Sequence, residues 1–380
     1  MAIVAQSTEL AAADGSKKTL PPARSGPVVD WARLGPKLEA FGIPLLALGL
    51  SLILFGAFII VAGHNPFDVY SEMYRGAFGT WFSFQNTLQR ASPLMLTALC
   101  TALPARCGLI VIGGEGAFVI GGLAAAAAGV ALIGAPTVIV LSGMFIAGAI
   151  FGGLWVGAAG LLRVQRGVNE TISSLLLTYI GIALLNHFVE GPLRDPESLN
   201  KPSTLHIGEA NMVGPIPGLD VHYGLVVGVI ACIAAYVLMK RTVFGFGAAI
   251  VGGNPRAARL AGVRVGRTVV IACALAGAAA GIAGTFEVAA VHGRANASLV
   301  AGYGYAGILV SFLARHDGLA IIPVSLFLGG IAASGGLLQR VFGLPDATVA
   351  VLQGILFVVL IASDTLYGRV RWQRHSAEPG

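Results

Sequence analysis

Two carboxylates lie inside apolar stretches of this chain: Glu115 within GGEGAF and Glu287 within GTFEVAAVHGR. At membrane depth such acids are costly and generally face the protein interior. Glu287 has the chemistry to accept hydrogen bonds from the hydroxyls or base edges of a polar solute. Paired instead with His292 or Arg294, it would be a structural contact at a helix end. Glu115 stands among glycines, where it would line a solute path, pack, or fix a glycine turn through a hydrogen bond. Gly302, Gly304 and Gly307 spell G-x-G-x-x-G. That phosphate fingerprint works only between a strand and a helix of a βαβ unit, whereas here it opens an apolar segment. A broken helix or close packing accounts better for these glycines. Glu115, Glu287, His292, Gly302 and Gly304 are therefore the candidates for a solute pathway.

A second constellation runs from Lys240 to Arg267. It carries Lys240, Arg241, Arg256, Arg259, Arg264 and Arg267 and no acid. Cations gathered between apolar runs mark a cytoplasmic loop. Within it Asn254 suits an N-cap, Pro255 the first helical position and Gly262 a helix stop. Ala257, Ala258 and Gly262 would give this short helix a face nearly free of side chains, open to another protein. The candidate contact residues are Asn254, Pro255, Arg256, Ala257, Ala258 and Gly262; an ordinary basic loop is the plainer alternative.

Other chemistry is missing. A phosphate loop ends in Gly-Lys-Ser/Thr, and no lysine here follows a glycine. The seven histidines form no HExxH pair, and no nucleophile elbow is present. The four cysteines have neither metal-ligand nor disulfide-framework spacing. Asn169 and Glu170 read as a helix cap and a dipole-compensating acid.

These residues are carried by an all-α membrane protein. Of 380 residues, 56% are hydrophobic and 11% charged, against about 25% charged in globular chains; mean hydropathy is +0.82. The 53 glycines suit close helix packing in lipid. A span needs about 20 apolar residues, and about ten candidates follow: 43–63, 91–105, 112–133, 136–161, 171–189, 221–239, 268–290, 301–314, 319–338 and 347–364. With both termini cytoplasmic, only Arg75, Arg90, Arg194, Lys201, Arg294 and Arg340 fall outside, a bias of about three to one. The net charge of +6 thus belongs to inner loops and tails rather than to nucleic-acid binding. Spans 2–5 and 7–10 would form two inverted repeats, each with a glycine-interrupted stretch at the matching place. Residues 1–40, without a signal-peptide pattern, read as a disordered cytosolic tail. Residues 41–368 read as the membrane domain with the loop 240–267, and 369–380 as a cytosolic C-terminal tail.

Several stretches resemble one family in order along the chain. Ala257-Ala258 and Gly262 have the spacing of the "EAA…G" loop of ABC importer permeases, with Arg256 where the motif has Glu. ASPLMLTAL from Ala91, IGGEGAFVIGGLAAA from Ile112, RGVNETISSLLLTYI from Arg166, LAGAAAGIAGTFEVAAVHGR from Leu275 and GYGYAGILVSFLAR from Gly302 are similar to permeases of the ribose and nucleoside branch. The GVNE stretch is nearest the nucleoside type. Val111, Ala117 and Thr178 replace residues usual there, which leaves the solute open. The resemblance implies a non-enzymatic permease subunit of the bacterial inner membrane, with no cofactor of its own. It implies an ATPase subunit on the central loop, a second permease, identical or different, and a periplasmic or lipid-anchored solute-binding protein. It implies nucleosides as solute, simple sugars second and branched amino acids third. An ion-coupled transporter using Glu115 and Glu287, or a scaffold binding acidic partners or lipid through the basic loop, are the rival readings.

Overall fold

A computed structural model describes residues 31–198 and 200–364. The chain divides into two compact units, Met1–Gly42 and Ile43–Gly380. In the first, what is described is the start of a helix. That helix, α1 (Trp31–Val61), begins inside the stretch expected as a tail, while residues 1–30 and the tail at 369–380 lie outside the described residues.

Every regular element among the described residues is helical. After α1 come α2 (Pro66–Tyr74), α3 (Trp81–Ala105), α4 (Gly114–Ala131), α5 (Thr137–Arg166) and α6 (Glu170–Glu190). Then follow α7 (Gly224–Arg241), α8 (Val243–Gly253), α9 (Pro255–Leu260), α10 (Val265–Phe286), α11 (Tyr303–Leu313), α12 (Gly318–Phe342) and α13 (Ala347–Asp364). Six of them, α4, α5, α6, α7, α10 and α12, are long and apolar enough to cross a membrane. Ten crossings are therefore more than helix length and composition support, although each of the ten apolar segments falls on a helix. Two of the four segments in excess, those on α11 and α3, show why. α11 has 11 residues, about 16 Å of rise against a hydrocarbon core of about 30 Å. α3 extends well ahead of the expected segment at 91–105, because Gln85, Asn86, Gln89 and Arg90 conceal its first half from any hydropathy reading.

α2 was missed altogether. Asp68 and Glu72 break its apolar pattern, yet its start is written locally. Asn65 accepts from the Phe67 N–H at 3.1 Å, and Pro66 takes the first helical position. The path from α1 through α2 and its π-helical continuation (Arg75–Gly79) bends by 117°.

α3 is the central post. Every residue from Ala91 to Pro104 is buried, held among α4, α7, α10, α11 and α12. The tightest crossing joins α5, α4 and α10. A Cβ placed on Gly281 would collide with the Gly148 carbonyl, and one on Gly277 with the Gly152 carbonyl. Small residues four apart on both helices let the backbones touch, which supplies packing that lipid-like side chains cannot. A separate apolar cluster, with Phe55, Ile59, Val69, Leu338 and Leu352, ties α1 and α2 to α12 and α13.

Candidate functional site

Two re-entrant turns place the conspicuous acids. α3 ends at Ala105 and the chain doubles back through residues 106–113. This return is pinned by side-chain hydroxyls. Thr171 donates to the Ile110 carbonyl at 2.7 Å, the Ile112 N–H donates to Ser174 Oγ at 3.1 Å, and Thr101 donates to the Val111 carbonyl at 3.3 Å. α4 therefore starts within the bundle. At the other end of the molecule α10 passes into a π-helical turn (Glu287–His292), Gly293 reverses the chain, and residues 294–302 lead to the start of α11. Thr97, eight residues or about 12 Å from the end of α3, donates to the Tyr303 carbonyl at 3.0 Å. The N-termini of α4 and α11 thus meet in the interior.

Glu115 joins them. Its Oε1 accepts from the Gly302 N–H at 2.8 Å and its Oε2 from the Gly304 N–H at 2.6 Å. The side chain is fully buried. A carboxylate in the first turn of one helix, accepting the unpaired N–H groups of another, is held by both helix dipoles without a cation. Gly302 sits at φ +80°, and a Cβ on Gly304 would collide with the Glu115 backbone nitrogen; the junction therefore requires both glycines.

Glu287 is 8% exposed and lies 3.5 Å from His292 Nε2, within the same turn. Arg294 is engaged elsewhere, 3.8 Å from Asp195 and hydrogen-bonded to Ser203 at 3.3 Å. The Arg90 guanidinium of α3 interacts electrostatically with Glu287. Tyr303 of α11 is within electrostatic reach of Glu287, Arg90 and Glu115. Arg90 and Tyr303 were not among the site residues expected from sequence. The available signal was Arg90 with Asn86 and Gln89, polar at i, i+3 and i+4 on one helix face.

The loop 191–223 covers this end. Its backbone bonds back through the Thr204 N–H to Ala295 O and the Ile207 N–H to Gly293 O, both 2.9 Å, and the Val213 N–H to Ala289 O at 2.8 Å. His222 accepts the Gly224 N–H at 3.1 Å and stacks on Phe286, ring centres 5.8 Å apart. Burial pushes its pKa down to about 4, so the ring is neutral near pH 7.

At the opposite end the basic loop folds into α8, α9 and the start of α10. Asn254 Oδ1 accepts from the Arg256 N–H at 2.9 Å and the Ala257 N–H at 3.2 Å, Pro255 opens α9, and Gly262 leaves it at φ +78°. Arg256, Ala257 and Arg259 are exposed, and Leu260 is 92% exposed. Ala258 departs from expectation. It is fully buried and its carbonyl accepts the Val263 N–H at 3.0 Å. It turns toward the chain's own core because a six-residue helix folded back on α8 and α10 must bury one side. Nearby, Arg163 pairs with Glu170 at 3.3 Å and Lys240 with Asp317 at 3.4 Å. Asn169 caps α6 through the Thr171 N–H at 2.9 Å and the Ile172 N–H at 3.2 Å.

The chain matches a family model described as a branched-chain amino acid transport system / permease component over residues 83–361. It is 33% identical to a glucose ABC transporter permease protein of Haloferax volcanii, over 88% of this chain and 91% of that protein. It is 28% identical to a guanosine ABC transporter permease protein of Bacillus subtilis, over 86% and 94%. It is 25% identical to a nucleoside ABC transporter permease protein of Lactococcus lactis, over 84% and 90%.

Proposed function

This chain belongs to the family of ABC transport-system permease components, a non-enzymatic transport subunit, and on that premise we propose that it conducts nucleosides inward through a bacterial inner membrane at the expense of ATP hydrolysed by a partner. The observation that carries the importer reading is α9. This helix, capped by Asn254, puts Arg256, Arg259 and Leu260 outward between α8 and α10. Exposed cations around an apolar tip suit an acidic-rimmed cleft on an ATPase subunit. Asn254 and Pro255 fix the start of this coupling helix, Ala257 lies on its outer side, Ala258 supports it from beneath, and Gly262 ends it. The cations at this end support a cytoplasmic assignment for it, the orientation in which both termini would also be cytoplasmic.

The meeting of α4 and α11 supports the inverted-repeat reading. One re-entrant segment follows α3 from this end and the other follows α10 from the opposite end, and both reach Glu115 and the Gly302–Gly304 backbone. Glu287, His292, Gly302 and Gly304 belong to the wall of the pathway, with Glu115 as its tie. The bonding of Glu115 also favours this account over an ion-coupled transporter. A carboxylate whose two oxygens are occupied by backbone donors is poorly placed to take up and release an ion. A second permease and an outer solute-binding protein complete the path, the latter facing the loop 191–223.

The solute rests on relatives that carry guanosine and nucleosides. A sugar is the second reading, favoured by the glucose permease. Competition decides. Labelled adenosine uptake displaced by guanosine and not by glucose or ribose supports nucleosides; displacement by a sugar alone moves the assignment to sugars.

A further inference from the structure

The first half of α3 presents a polar face that lipid would not tolerate. Ser83, Asn86, Gln89 and Arg90 follow one another at helical spacing on one side, and all four border a cavity of about 380 Å³. Across it stand Gly336, Leu337 and Arg340 of α12, and Gly76 closes its edge. Arg90 lies nine residues into the helix, about 14 Å along its axis. A guanidinium and two amides at that depth face protein or water, not hydrocarbon. Beside this face Thr87 is fully buried and donates to the Ala77 carbonyl at 2.7 Å. The polar trough is therefore bordered by closed packing along one flank.

Two features indicate what fills the trough. Its charge is moderated, because Arg90 interacts electrostatically with Glu287 and Arg340 turns back to its own helix, its Nε donating to the Gly336 carbonyl at 3.2 Å. Its lining is rich in neutral hydrogen-bonding groups, with a hydroxyl from Ser83 and paired donors and acceptors from Asn86 and Gln89. A space of this size holds a small solute, and such groups match hydroxyls and heterocyclic edges better than an apolar side chain or an anionic phosphate.

We propose that the α3 face of Ser83, Asn86, Gln89 and Arg90, closed by Arg340 of α12, is a water-filled wall of the translocation path that contacts a neutral, hydroxyl-bearing solute. This rests on the permease reading and adds to it the residues that meet the solute. Arg90 serves as the main donor, and its electrostatic interaction with Glu287 links the trough to the π-helical turn of α10.

The test uses the assembled importer in sealed vesicles. Ser83→Cys and Asn86→Cys are each treated with a membrane-impermeant methanethiosulfonate. Ile150→Cys, on an exposed apolar position of α5, is the lipid-facing control. The unsubstituted chain, whose four cysteines are buried, controls for background. Labelling of both trough positions but not position 150, with ATP-driven uptake falling about tenfold or more on labelling, is the expected result. Arg90→Gln lowers uptake by a similar factor, Arg90→Lys recovers part of it, and subunit assembly is unchanged in both. If neither trough position is labelled, or if both are labelled with uptake intact, the proposal is wrong. Uptake by the unsubstituted complex tests the permease reading on its own; were it absent, that reading would fail while the labelling would still decide whether the face is wet.

Discussion

Glu115 accepts the Gly304 N–H at 2.6 Å across 189 residues of sequence, and that bond is where two helices entering from opposite ends of the bundle are joined. The acid sits at one helix start and the glycine at another. Neither has a cation to rely on, so the backbone donors hold the charge. Removing the carboxylate leaves buried N–H groups without a partner, which is the expensive way to lose a hydrogen bond.

Glu115→Ala is therefore expected to destabilise the chain by about 2–6 kcal/mol, about 1–3 kcal/mol for each of the two N–H groups left unpaired. Glu115→Gln, which keeps one acceptor oxygen but sets an amide N–H against a backbone N–H, should fall between it and the native chain. Thermal unfolding in detergent checks this, read beside solute competition in whatever folded protein remains. An unchanged melting temperature with lost uptake would move Glu115 from the frame to the solute.

The glycine crossing gives a second expectation. Gly281→Ala puts a methyl group into the Gly148 backbone and should cost about 1–3 kcal/mol by overpacking; Gly281→Leu should prevent correct assembly. Gly354→Ala in α13 meets nothing within 4 Å and should be neutral or slightly stabilising. Equal unfolding temperatures for the alanine variants at 281 and 354 would contradict the crossing.

α9 separates docking from support. Leu260→Asp should abolish co-purification of the ATPase while the permease itself melts normally, since Leu260 touches little of its own chain. Ala258→Leu should instead lower the melting temperature, because that site is fully buried. A Leu260→Asp complex that keeps its ATPase would place the contact elsewhere.

His222 makes stability depend on pH. Its folded pKa of about 4 lies below the ordinary 6.5, so the folded form binds fewer protons between these values. Stability is fully present above pH 6.5 and declines as pH falls toward 4, by up to about 3 kcal/mol. His222→Asn should flatten that part of the profile. An identical acid profile for native chain and variant would show that the ring is solvated.

Much of this was legible locally. Asn254-Pro255 and Gly262 set the bounds of α9 through capping rules that need only near neighbours, and the same holds for Asn169 at α6. The apolar segments found the helices because hydrophobicity is summed over each one. What failed depended on distant partners. Ala258 was grouped with Ala257 and Gly262 as an open face, but which side of a short helix is buried is decided by α8 and α10. Glu115 announced itself as an odd acid, yet its partners lie 187 and 189 residues away. The trough on α3 was hidden for a related reason. Asn86, Gln89 and Arg90 lower the hydropathy of a helix that is nonetheless inside the bundle, so their polarity suggested a loop.

The central claim is that transport through this chain is driven by ATP hydrolysed on a partner docked at α9. Uptake of labelled adenosine into sealed vesicles containing the permease, its ATPase and its binding protein tests it most directly, with ATP and ion gradients supplied separately. The account predicts accumulation that requires ATP, ignores proton and sodium gradients, and disappears in Leu260→Asp. Accumulation that follows an ion gradient without ATP would contradict it.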